Sequence, residues 1–376
     1  MALFSLAILF LVASVFSYTL FGVKVVNDSQ RYLGYASHLQ EGFYFEKHNF
    51  WYIGYVLFIL VVRLLTDSYH ELYIVLCQYL YSFIGLSFLY KMMRALEIDR
   101  ASSLIGSVLY MALVEFSAWN SYILCESFYL NNIVISGYFL VVTFVQKKIT
   151  TINSLCLLFF SLLTAFSKPT GIVVLLSIAC IVSIYFVRQS KVGFWFTSTW
   201  LFFGLALFTV LANKMMDTFL IVENYSTGEI IYAISTVPYL AQYPELVVNV
   251  PNDLKVLTTE YPPAVRLVHF VFVNFSFWCA LFMKKVFYFL AHVRPYWSLK
   301  HNLFNLILIL PTYIISIIQI IKSKSIVKNF CVCYLLLHTL IVGLTSVDWD
   351  GRFFLPLTPI LVILVAKRVS KTLMPQ

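Results

Sequence analysis

Charge is what this chain has least of: only 11% of its 376 residues are Asp, Glu, Lys or Arg, against about 25% in a typical water-soluble domain. Acidic residues are the scarcer sign, 17 against 26 basic ones. The basic residues form no long run, so the formal charge of +9 reads as membrane topology and excludes a nucleic-acid partner. None of the seven cysteines forms a C-x-x-C pair, which excludes a zinc ribbon and gives no disulfide framework. The G-x-S-x-G, H-E-x-x-H and P-loop patterns are absent too, which removes the commonest soluble hydrolase, metalloprotease and nucleotide-binding motifs.

What is present is apolar. Hydrophobic residues make up 61% of the chain, with 35 Phe and 25 Tyr, and the mean hydropathy is +0.87. No water-soluble fold hides that much apolar surface, so lipid is the expected solvent, with uncharged runs near the ~20-residue spanning length. Such runs fall at 2–21, 72–90, 101–114, 155–166, 170–187, 193–212, 303–321, 330–347 and 353–366, and 121–145 joins them although it carries Glu126. The first run is long, lacks a charged n-region and shows no clear small-residue cleavage site, so it is read as a membrane helix rather than a leader.

Two further apolar stretches, 51–65 and 267–283, can span or lie flat; they carry Arg63 and His269 respectively. Charge decides between the options. If both lie flat and the N-terminus is cytoplasmic, half of the 26 basic residues fall in five short inner segments: Lys91, Arg94 and Arg100; Lys147 and Lys148; Arg188 and Lys191; Lys322, Lys324 and Lys328; Lys367, Arg368 and Lys371. Only Glu97 and Asp99 among the acids fall inside. Letting either stretch cross alone moves lysines and arginines outward, against the positive-inside rule. The expected fold is an all-α membrane protein with about ten transmembrane helices, treated as a single polytopic domain over 1–376. Both termini are cytoplasmic, and interfacial helices lie in two large outer loops, 22–71 and 213–302. The expected location is a plasma or inner membrane.

On that topology the unusual polar residues gather at the outer helix ends. Asp28 follows the first span, Glu126 opens the fourth, and Lys168 lies in the Ser167-Lys168-Pro169 joint between the fifth and sixth; Asp348, Asp350 and Arg352 precede the last. Ionisable groups in or beside a span are costly and often functional. Each also has a plainer reading. Asp28 is then a solvated residue after a helix, Glu126 a structural partner of Lys168 or Arg352, Lys168 an interfacial snorkel, and 348–352 an aromatic-anchored turn. Glu46, Lys47 and His48 lie in the first outer loop, where a Lys and a His at headgroup depth can hold a phosphate or merely sit in water. Arg294, Tyr296 and His301 form a basic, aromatic stretch suited to an anion or to headgroup anchoring.

Taken in order, these segments resemble the GT-C class of membrane glycosyltransferases, the group of the protein O-mannosyltransferases and aminoarabinose transferases. Asp28-Ser29-Gln30-Arg31-Tyr32-Leu33-Gly34-Tyr35-Ala36 is similar to that group's acidic loop start, and Tyr44-Phe45-Glu46-Lys47 to its lysine-bearing loop segment. The stretch 122–130 with Glu126 resembles the acidic opening of its fourth helix. Ser167-Lys168-Pro169-Thr170-Gly171 resembles its basic-Pro-Thr-Gly joint, and 350–359 its late Arg…Pro segment. The likeness runs from about residue 1 to 366. It implies a polyprenyl-phosphate sugar donor, a glycan, lipid or protein acceptor, and contact with membrane lipids. It implies Asp28 as general base, with Glu126 orienting hydroxyls or holding Lys168, and Lys47, Lys168, Arg294 and Arg352 on the donor phosphate. Tyr32, Glu46, His48, Tyr296, His301 and Asp350 would line the substrate. Asp28 lies between Asn27 and Ser29 where many members carry an acidic pair, so a divalent metal is compatible with the sequence but not required by it. The rival readings are a polymerase or ligase of lipid-linked oligosaccharides, a membrane transporter, and a non-catalytic membrane subunit.

Overall fold

The computed structural model describes residues 2–113, 118–188, 194–238, 242–323 and 326–373. The run ends Val114 and Gly193 and the inner-cluster residues Lys191 and Lys324 lie outside the described residues. The helices in chain order are α1 (Ala2–Phe21), α2 (Asn27–Glu41), α3 (Ile53–Leu64), α4 (His70–Ala95), α5 (Arg100–Ala112), α6 (Ala118–Ser121), α7 (Cys125–Leu140), α8 (Thr151–Ala165), α9 (Ile172–Arg188), α10 (Phe194–Thr218), α11 (Pro263–Val273), α12 (Phe275–Ala291), α13 (Leu299–Lys322), α14 (Ile326–Leu344) and α15 (Thr358–Leu373). Among the described residues the only extended pairing is three isolated bridges, Lys24 with Tyr122, Glu229 with Val247 and Ile231 with Val347. The protein is all-helical.

Among the described residues, five helical segments are long and apolar enough to cross a membrane: Ala2–Phe21, His70–Ala95, Cys125–Val145, Leu299–Lys322 and Val327–Leu344. The pair Pro263–Val273 and Phe275–Ala291 makes a sixth if counted as one span, but it bends by 105°. Ten spans were expected. Helices α5, α8 and α15 are 13, 15 and 16 residues long, short of the ~20 that a bilayer core asks of an untilted helix.

The bend is a departure from the sequence reading, which took 267–283 as one continuous helix. Asn274 sits at the break, and its side chain bridges to a distant loop. Its Nδ2 donates to the Lys255 carbonyl (2.8 Å) and its Oδ1 accepts from the Lys255 N–H (3.1 Å). Those bonds hold the backbone at φ −112°, ψ 37°, off the helical path.

The chain divides into two compact units: Met1–Val182 with Leu308–Leu335 and Leu355–Gln376, and Ser183–Ile307 with Leu336–Phe354. In the first, α7 is the central helix, buried along most of its length. Polar side chains tie it to α4. Ser82 donates to Asn120 Oδ1 (2.6 Å), and Asn131 Nδ2 donates to Ser82 Oγ (2.9 Å) and to the Ser127 carbonyl (2.8 Å). Interhelical hydrogen bonds of this kind contribute on the order of 0.6 kcal/mol each in lipid, so their value lies in fixing the register. Gly85 permits the approach: a Cβ there would lie 2.0 Å from Asn131 Oδ1. Asp99 caps α5 by accepting from the Ser102 N–H (3.0 Å), a contact of about 1 kcal/mol at a typical helix start. Much of the outer face of α1 and α8 is exposed and apolar, including Phe4, Leu11, Phe16, Ile152 and Phe159. Only a lipid solvent makes such surfaces stable.

In the second unit the long segment between α10 and α11 is held by backbone pairing. Val248 N–H donates to the Gly228 carbonyl (2.8 Å), Val347 N–H to Ile230 (3.0 Å) and Tyr232 N–H to Val347 (3.0 Å). Gly228 has φ +68°, and a Cβ there would meet the Val248 carbonyl at 2.2 Å, so the turn requires glycine. Arg266 pairs with Glu223.

Candidate functional site

Backbone geometry brings three separated segments of the first unit to one end of its bundle. After α1 the chain leaves through Gly22 at φ +60°. Lys24 N–H then donates to the Ser121 carbonyl (2.9 Å), and Ile123 N–H donates to the Lys24 carbonyl (3.0 Å). The root of the first loop is thereby stitched to the turn that opens α7. Gln78 on α4 clamps the same turn: its Nε2 donates to the Asn120 and Tyr122 carbonyls, both at 2.8 Å, while its Oε1 accepts from Tyr55 on α3 (2.6 Å). Finally, Gly54 N–H on α3 donates to the Phe166 carbonyl (2.8 Å), docking the loop helix on the α8–α9 joint. A Cβ at Gly54 would lie 2.9 Å from Ser167 Oγ.

Two clusters of ionisable groups result. The inner one is Lys168 Nζ with Glu126 Oε1 at 3.0 Å, the side chains 5% and 3% exposed. It bolts the start of α7 to the α8–α9 joint. Lys168 is one of the two partners open to Glu126 from the sequence. Beside it, Cys125 Sγ lies 3.7 Å from Glu126 Oε2 and 3.9 Å from the Tyr32 hydroxyl. Tyr32 and Tyr55 meet edge to face at 5.4 Å, and Tyr32 and Tyr52 lie 5.2 Å apart. Burial, with Cys125 second, raises the Tyr32 hydroxyl pKa well above its ordinary range, so Tyr32 is a neutral hydrogen-bonding group.

The outer cluster is half open. Arg31 Nη2 lies 3.3 Å from Asp28 Oδ1, the two side chains 36% and 35% exposed. Arg31 Nη1 lies 2.8 Å from His48 Nε2, and its guanidinium sits 5.5 Å and 5.7 Å from the Tyr32 and Tyr52 ring centres. A guanidinium only donates, so His48 Nε2 is the acceptor and the imidazole is neutral. Burial first, and then Arg31, lower its pKa, which favours the same state. His48 also stacks on Tyr52 at 6.2 Å. Lys47 is exposed and Glu46 half-buried on this turn.

The predicted residues of the second unit have different surroundings. Arg294 is 1% exposed. Its guanidinium donates to the carbonyls of Asp348 (3.0 and 3.3 Å), Tyr288 (2.7 Å) and Val293 (2.9 Å), with the Asp348 carboxylate at 3.8 Å. A fork so fully spent on carbonyls holds the chain and has little capacity for a substrate phosphate; that role, expected from the sequence, does not suit it. Lys168 donates to Glu126. Tyr296 donates to the Trp349 carbonyl (2.6 Å), His301 stacks on Trp297 at 4.4 Å, and Arg352 pairs with Asp350 at 3.0 Å.

The sequence reading gave no role to Arg31, Tyr52, Gln78 or Cys125. The spacing of Asp28 and Arg31, three apart on a helix, is a legible ion-pair signal. Among the described residues no three His, Cys, Asp or Glu side chains converge as a metal site would need. Neither a protein-family model nor a curated protein matches this chain.

Proposed function

We propose that the protein is a polytopic glycosyltransferase of the GT-C kind. It would move a sugar from a polyprenyl-phosphate donor to an acceptor hydroxyl on the outer face of the membrane, through ten spans with both ends inside. The observation that carries the reading is the outer cluster of Asp28, Arg31 and His48. It stands over a sealed Glu126–Lys168 pair, where the end of α1, the start of α7 and the α8–α9 joint meet. The supporting context is a chain rich in lipid-facing apolar helices whose ionisable groups gather at helix ends.

The chemistry is a displacement at the anomeric carbon. The acceptor oxygen forms the new bond, the bond to the phosphate oxygen breaks, and the electron pair leaves with the phosphate. Asp28 takes the acceptor proton, which needs hydrogen-bond reach and an ionised carboxylate. Lys47 faces the charge growing on the departing phosphate. Glu126 fixes Lys168, and with it the floor of the site, rather than touching the sugar.

One feature favours a transporter instead: the 105° break at Asn274, since broken helices mark transporter binding sites. The polar groups of Asn274 are, however, used on Lys255. The test is release of radiolabelled sugar from a polyprenyl-phosphate donor by the purified protein in liposomes. Donor-dependent transfer to an acceptor supports the proposal. Growth of a lipid-linked glycan chain would indicate the polymerase or ligase reading, and vectorial movement of the intact donor or of a solute without bond cleavage would indicate transport.

A further inference from the structure

Arg31 stands apart from the other cations of this protein. Lys168 and Arg294 are buried and bonded, to Glu126 and to backbone carbonyls respectively, whereas Arg31 is about one-third exposed. Its Nε is buried without a hydrogen-bond partner. Its Asp28 contact is a long 3.3 Å, and its shortest bond, 2.8 Å, goes to a neutral imidazole. Tyr32 and Tyr52 hold the guanidinium in place through their rings. A planar fork with an unused donor, held by aromatic faces, is built to take a two-pronged anion. The groups around His48 are Arg31 and Asp28 on α2, Glu46 and Lys47 on its own loop, and Tyr52 beneath it. Arg31 is the cation bonded to the imidazole.

Resting on the transferase reading, we propose that Arg31 and His48 form a proton-linked site for a phosphate monoester. On binding, the phosphate oxygens take over the Arg31 fork from His48 and Asp28. His48, relieved of the Arg31 donor and facing an anion, takes one proton from water on Nε2 and becomes a second donor to the phosphate. Under the transferase reading the sugar donor is a phosphodiester, so the species this site takes is the polyprenyl phosphate monoester, with its second charge, that forms when the bond to the sugar breaks.

The experiment is titration calorimetry of the full-length protein in detergent at pH 7, in two buffers of different ionisation enthalpy. The probes are farnesyl phosphate, inorganic phosphate and phosphatidylglycerol vesicles. Farnesyl phosphate should bind with net proton uptake. Arg31→Gln should weaken it about 10- to 100-fold, and His48→Gln should abolish the uptake while leaving measurable binding. Inorganic phosphate binding with the same Arg31 dependence supports a site that reads the phosphate alone; binding of farnesyl phosphate only supports one that also reads the lipid tail. Unchanged affinity in Arg31→Gln, or unchanged proton uptake in His48→Gln, overturns the proposal. So does equal, Arg31-dependent binding of the phosphatidylglycerol diester, which cannot carry the second charge. Correct folding of each variant is checked by its melting temperature, and Arg31→Lys, which keeps the charge but not the fork, should bind at an intermediate level. The titration uses neither sugar nor acceptor. Failure of sugar transfer would therefore leave this site standing, and wild-type transfer rates in Arg31→Gln would remove the site while leaving the transferase reading intact.

Discussion

The two arginines that matter most here, Arg31 and Arg294, sit beside an aspartate, a histidine and aromatic rings alike, yet one is exposed by about a third and the other is sealed. Arg294 saturates its fork on three backbone carbonyls, so its charge is used up in closing a turn. Arg31 rests on a neutral imidazole and a long contact to Asp28. What separates structural from chemical charge in this protein is how many of the donors are already committed, rather than which residue types stand close together.

That contrast can be broken by mutation. The largest effect on folding is expected at Arg294. Replacing it with Gln removes a buried charge and strands buried carbonyls, and should cost about 3–5 kcal/mol, seen as a sharp loss of monodisperse protein and of thermal stability in detergent. Comparable stability in Arg294→Gln and wild type would show that the sealed arginine is dispensable. Close behind is the Glu126–Lys168 pair. Glu126→Leu alone leaves a buried ammonium without its counter-charge, with a similar penalty, whereas Glu126→Leu with Lys168→Met should recover much of the loss. A double variant as unstable as the sum of the singles would mean the two side chains act independently.

Acid should separate the regions next. Burial first, and then Arg294, push His292 down to about 3. Between that value and about 6.5 the unfolded chain binds the proton and the folded chain does not, so stability rises with pH across this window and is lost as pH falls through it. His292→Phe should flatten that part of the melting-temperature profile; an unchanged profile would assign the acid sensitivity elsewhere. The half-exposed outer cluster should be almost silent in folding. Asp28→Asn is expected to change stability by less than about 1 kcal/mol and yet to abolish sugar transfer, while near-normal turnover would remove Asp28 as the base. The smallest effect is expected at Lys47→Ala: no change in folding and a rise in the donor concentration needed for half-maximal transfer.

Part of the candidate site is legible in the sequence, and the reason is solvent. In apolar runs a lone Glu126 or Lys168 is conspicuous because lipid makes isolated charge expensive, and the inner pair follows from that. Asp28 was visible as the first acid after a membrane helix. Arg31 was not, because an i,i+3 ion pair on a loop helix looks like any solvated pair until its other partners, His48 and the two tyrosines, are known. Gln78, Asn120 and Asn131 escaped notice because uncharged amides do not interrupt a hydropathy run, although they fix the register of α4 against α7. The break at Asn274 was hidden for a different reason: its cause lies nineteen residues away at Lys255. The commitment of Arg294 to backbone carbonyls was not legible either, because only three-dimensional contacts reveal it.

Everything proposed for the outer cluster requires it to open away from the cytoplasm. The most direct test is side-specific labelling in intact cells with a membrane-impermeant maleimide, on a background in which the seven native cysteines are replaced. Lys47→Cys should label without permeabilisation, and Lys371→Cys only after it. Labelling of Lys371→Cys in intact cells, with Lys47→Cys protected until the membrane is opened, would put the cluster on the cytoplasmic side and contradict the account.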